Sequence, residues 1–102
     1  MSKANTIATR VVLEYINELE STANVFDYWN SAYFAQRCYE KQAAKDILEL
    51  LKNSTEPPLV VIENYRDKMN DYACLNRFGS IIFSVAYDTA ESIIDALIGS
   101  CY

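Results

Sequence analysis

Apolar side chains recur every three or four positions through most of this chain, the repeat of one face of an α-helix. From Thr6 to Leu19 the repeat runs through Ala8, Val12, Tyr15, Ile16 and Leu19, with Asn5 or Thr6 placed to cap its start. Ser21, Thr22, Ala23 and Asn24 then break the pattern. Asn24 with Asp27 has the form of a cap and an acid in the first turn, so a second helix is predicted from about residue 25 to Asn53. At 1.5 Å per residue its roughly 28 residues span about 42 Å, against about 20 to 30 Å for each other candidate. The excess has to be covered by something, or the helix has to bend or break.

The clearest punctuation is Ser54, Thr55, Glu56, Pro57 and Pro58, a polar stop and then prolines that a helix tolerates in its first turn. A third helix carries Leu59, Ile62, Tyr65, Met69, Tyr72 and Ala73 on one side and Glu63, Asp67, Asn70 and Asp71 on the other. The run Asn76 to Ser80 reads as a connection, with Gly79 free in φ and Ser80 able to cap a fourth helix. That fourth helix, closed by Gly99, has a narrow polar stripe of Ser84, Asp88, Glu91, Ser92 and Asp95. Ile82, Phe83, Ala86, Tyr87, Ala90, Ile93, Ile94 and Leu97 fill the rest of its circumference, the pattern of a helix surrounded by others. The expected fold is all-α, a compact four-helix arrangement with one long helix and a single domain over residues 1–102. Because residues 59–62 and 81–87 are rich in β-branched and aromatic side chains, short paired strands there make an α+β alternative.

Six aromatics change the picture of the second helix: Phe26, Tyr28, Trp29, Tyr33, Phe34 and Tyr39 fall within fourteen residues. Tyr28, Ala32, Ala35 and Tyr39 share one side of a helix, while Phe26, Trp29, Tyr33 and Phe34 spread over neighbouring sides, so one stripe cannot hold them all. Aromatics serve both cores and recognition surfaces. The six are therefore the candidate partner-binding residues, part core and part contact surface.

Composition narrows the class. Hydrophobic residues make up 51% and charged residues 23%, which is ordinary globular usage. The N-terminal stretch lacks the continuous apolar segment of a secretory signal, and the longest uninterrupted apolar runs, such as Leu59 to Ile62, are only a few residues, far short of the roughly 20 of a membrane-spanning helix. Cys38, Cys74 and Cys101 are widely spaced and form no C-x-x-C pair, which argues against a disulfide framework and a zinc site. Cys38 and Cys74 are expected to be small buried or half-buried hydrophobes, and the chain to be soluble and cytoplasmic. The net charge of −5 favours neither nucleic acid nor anionic lipid as a partner.

The chain has no histidine, which removes the commonest general base, the Ser-His and Cys-His pairs and the HExxH zinc site. Two isolated glycines leave no glycine-rich phosphate cradle. Carboxylates remain: Glu63, Asp67 and Asp71 on the third helix, and Asp88, Glu91 and Asp95 on the fourth. As a magnesium site this pairing resembles the helical pyrophosphohydrolases that cleave nucleoside triphosphates, although their ExxE and ExxD pattern is not matched. Each acidic set also lies opposite its own helix's apolar stripe, which points it to solvent. The same rows of acids suggest a phosphate-like surface, as in a DNA-mimicking inhibitor of a nucleic-acid enzyme from a phage or mobile element, interrupted here by Arg66 and Lys68. On the second helix Arg37, Lys41, Lys45 and Lys52 fall within about 80° of one another near Phe34, but Glu40, Asp46 and Glu49 neutralise them, and Glu49 is spaced to pair with Lys45. The sequence thus favours an accessory protein without catalytic centre, metal or cofactor, acting on a protein partner and self-associating through the aromatic helix.

Overall fold

The computed structural model describes residues 3–21, 31–75 and 80–99. They form α1 (Lys3–Ser21), α2 (Ser31–Asn53), α3 (Pro58–Leu75) and α4 (Ser80–Gly99). Pro58 opens α3 because a missing N–H costs nothing in a first turn, and the Pro57 carbonyl accepts the first bond, from the Val61 amide at 3.1 Å. Just before it the Ser54 hydroxyl accepts the Glu56 amide at 3.1 Å, which turns the chain out of α2. Among the described residues there is no strand, so the α+β alternative at 59–62 and 81–87 is corrected: both segments are helical. Their β-branched residues cost a helix only tenths of a kcal/mol each. The helical register sends Val61, Ile62, Val85 and Ala86 into the core, which outweighs that cost.

The helices pack as two pairs, α1 on α2 and α3 on α4, joined chiefly where α2 meets α4. Tyr72 touches Phe83, and Arg66, six residues back, reaches Glu91, eight residues on, so α3 and α4 run antiparallel. α2 and α3, though consecutive, touch only sparingly, and a cleft opens between them. A radius of gyration of 13.9 Å against about 13 Å for a compact chain of 100 residues places the helices on one core and not splayed apart.

That core contains Ala8, Val12 and Ile16 of α1, Ala43, Ala44, Ile47 and Leu51 of α2, Val61, Ile62 and Tyr65 of α3, and Ala86, Ala90, Ile93, Ile94 and Leu97 of α4. The broad apolar surface of α4 gives it the most extensive contacts with the rest of the bundle. Its buried Thr89 donates to the Val85 carbonyl at 2.8 Å, satisfying its hydroxyl within the helix. Tyr15 of α1 is half-buried at the edge of the core. Burial and then Glu40 push its phenol above its ordinary value, against the nearby Ser92 and Thr89 hydroxyls of α4 and the charge of Arg37.

Several details depart from the pattern reading. Among its described side chains, α2 enters the core through Ala43, Ala44, Ile47 and Leu51 of its C-terminal half, while Tyr39 is half-buried. The described part of α2 is the longest helix, at 23 residues against 18 to 20, and the predicted start from residue 25 to 30 lies outside the described residues. Cys38 and Cys74 are exposed rather than half-buried, because each lies on the outer side of its helix. No described helix is long and apolar enough to cross a membrane.

Candidate functional site

Phe26, Tyr28 and Trp29 lie outside the described residues, and Tyr33 and Phe34 sit on the first turn of α2. Tyr39, further along the helix, is half-buried. It lines a groove of about 210 Å³ where α2, α3 and α4 converge, together with Ala43, Tyr65, Met69, Phe83 and Ala86. Ala43 and Ala86 are too small to fill the space between the larger side chains, which leaves the groove open. Phe83 meets the Tyr72 ring edge-on at 5.2 Å between centroids, continuing the aromatic surface from Tyr39 towards the end of α3.

That end of the α3–α4 pair is unusually apolar. Leu75 is 83% exposed, Ile81 64%, Ile82 43% and Tyr72 39%. Ile82 also lines the Tyr39 groove, so groove and exposed end form one surface. The sequence places Tyr72 and Ile82 on buried stripes. Neither is buried.

A larger groove, of about 580 Å³, lies in the wedge between the C-terminal half of α2, the 54–57 connection and the first half of α3. Leu50, Val61, Tyr65 and Met69 give it an apolar lining, and Asp46, Glu49, Glu56 and Lys68 carry its charges. Tyr65 and Met69 line both grooves and form the partition between them. Burial first and Asp46 second push the Tyr65 phenol up to about 12, so it stays protonated at any physiological pH. Sequence reasoning misses this groove. In the hydrophobic pattern Tyr65 is one more member of a core stripe, and Glu49 is spaced for Lys45, with which it forms no ion pair.

The acidic rows do not make a shared cleft. Glu63, Asp67, Asp71, Asp88 and Asp95 are exposed, and among the described residues no three such groups come together to hold a metal ion. Glu91 is engaged by Arg66, whose Nη1 donates to its Oε1 at 3.0 Å, while Nε donates to Asp67 Oδ1 at 3.1 Å. The bond to Asp67 is the main cause raising the Arg66 guanidinium above its ordinary value, with Glu91 adding to it. Both pairs are partly exposed, so Glu91→Gln is expected to lower stability by less than about 1 kcal/mol, an effect that shrinks further in high salt. Urea unfolding at two salt concentrations measures this. A loss of several kcal/mol would mean that the clamp between α3 and α4 is structural rather than a surface pair.

Comparison with known proteins finds no matching family, no similar curated protein and no similar solved structure, so the functional reading rests on this geometry.

Proposed function

We propose that this is a non-catalytic interaction protein that associates with a second copy of itself through the aromatic groove of Tyr39 and the apolar end of α3 and α4. The observation that carries this reading is the exposure of Tyr72, Leu75, Ile81 and Ile82 on the adjoining ends of α3 and α4, where Ile82 and Phe83, the ring partner of Tyr72, line the Tyr39 groove. Scattered exposed aliphatics are ordinary, but contiguous ones adjoining an aromatic groove are the usual composition of a contact surface. Isologous pairing suits such a patch, since a two-fold axis brings the same apolar surface from both copies together. Tyrosine and phenylalanine rings supply large contact area at little cost in side-chain entropy.

Light scattering over a concentration series is expected to give a dimer mass, and Ile82→Glu a monomer with an unchanged helical circular dichroism spectrum. Ile82 is exposed enough to accept the charge without disturbing the core. Tyr39→Ala is expected to weaken the dimer by about 1 to 2 kcal/mol, the ordinary range for an interface aromatic short of a dominant hot spot. A wild-type protein that stays monomeric at about 100 µM, a concentration at which even micromolar association is nearly complete, would remove the self-association reading.

A further inference from the structure

We propose that the larger groove between α2 and α3 is a second binding site, which accepts an arginine side chain flanked by apolar residues on a segment of a partner protein. Three features of the groove point the same way. First, its three carboxylates are uncommitted: Asp46, Glu49 and Glu56 form no ion pair with a described residue. Asp46 accepts only a neutral hydrogen bond, from Gln42 Nε2 at 3.0 Å. The one cation on the lining, Lys68, has its ammonium 5.7 Å from the centre of the Tyr72 ring. The groove is therefore anionic, with a complementary charge missing.

Second, Tyr65 has 8% of its surface exposed and lines the groove, yet its hydroxyl forms no hydrogen bond with a described residue. A polar group held at an apolar wall without a partner is a position that a ligand's donor can satisfy. Asp46 and Tyr65 both line this groove, and Asp46 lies close enough to raise the Tyr65 phenol. A guanidinium, with five donors in one plane, reaches two such acceptors at once, whereas an ammonium presents a single point charge. Third, Leu50 is 42% exposed beside Val61 and Met69, an apolar wall for the aliphatic stem of the arginine and for its neighbours in the partner segment. A volume of about 580 Å³ is ample for such a side chain with part of its backbone.

Asp46, Tyr65 and Met69 border both grooves, so the titration uses the Ile82→Glu protein, in which the self-association surface is disrupted, and the outcome does not depend on self-association. The probe is a capped tripeptide of leucine, arginine and leucine, titrated into ¹⁵N-labelled protein, with the same peptide carrying citrulline, the neutral isostere of arginine, as its partner titration. The arginine peptide is expected to shift the amides of Leu50, Asn64, Tyr65 and Met69 with roughly millimolar affinity, and citrulline to weaken it about tenfold, the loss of a charge-assisted hydrogen bond. Asp46→Asn and Tyr65→Phe, which keep shape and leave the helices intact, are each expected to weaken arginine binding by about threefold to tenfold. Equal binding of the two peptides, no shift up to about 10 mM peptide, or shifts centred on Glu63, Asp71 and Asp88 would overturn the proposal. So would spermidine binding as tightly as the arginine peptide, since that would be attraction of any cation to an acidic protein.

Discussion

Replacing Ile93 with alanine is expected to lower the free energy of unfolding by about 3 to 4 kcal/mol, and the melting temperature by roughly 12 to 25 °C. Ile93 has no exposed surface and sits on α4, the helix with the most extensive contacts to the others. Shortening it removes buried methyl and methylene groups and leaves a cavity that neighbours on several helices cannot all collapse to fill. Ile98→Ala, further along the same helix, is expected to change stability by less than about 0.5 kcal/mol, because Ile98 is 62% exposed. Urea unfolding of both variants at one fixed protein concentration separates the cases, the fixed concentration holding any self-association constant. Equal losses at the two positions would mean that α4 is not the centre of the core.

The second large effect is alkaline destabilisation. The Tyr65 phenol titrates near 10.0 in the unfolded chain and at about 12 in the folded protein, because burial and then Asp46 disfavour the phenolate. Below pH 10 both states keep the proton and the stability is fully present. Between pH 10 and 12 the unfolded chain loses its proton while the folded protein retains it, so stability falls by up to about 1.4 kcal/mol per pH unit. The total is on the order of 2 kcal/mol, lost as pH rises through the folded value. Tyr15, raised in the same direction, adds to the decline. Tyr65→Phe is expected to flatten the stability profile over this window while leaving it nearly unchanged at pH 7, and Asp46→Asn to move the folded titration downwards. Urea unfolding from pH 8 to pH 12 reads both. A Tyr65→Phe profile as steep as that of wild type would show that the phenol is not desolvated in the folded protein.

The grooves explain why Tyr65 is central to both the arginine-peptide titration and the alkaline unfolding. On the sequence it is one of six apolar positions on a well-formed helical stripe, with nothing to mark its hydroxyl. The stripe correctly places its ring inward. It is silent about the grooves that Tyr65 lines, one of them the wedge where α2 and α3 diverge. Asp46 and Glu49 are equally hidden. Helical spacing offers Glu49 a partner in Lys45, and only the packing of α3 sets the two acids at the edge of a cleft.

The aromatic segment shows the complementary limit. Its density predicts a concentration of contact energy there; of the six aromatics only Tyr39 has a described side chain, and it lines a groove. The surface that completes this groove comes from Met69, Ile82 and Phe83 on two other helices. No periodicity within α2 contains their position, since which stripes end uncovered depends on where a neighbouring helix stops.

By itself the sequence determined the four helices, the proline start of α3, the broad apolar surface of α4 and the outward acids, because each comes from local spacing and backbone chemistry. The tertiary structure decided which apolar residues are covered: Ile93 rather than Ile98, Ile62 rather than Tyr72, Ala43 and Ile47 rather than the whole of α2. It also decided that α2 and α3 part to leave an acidic cleft lined by Tyr65. Periodicity fixes the side of a helix on which a residue lies, whereas exposure depends on how many neighbours reach that side, and those neighbours come from distant parts of the chain.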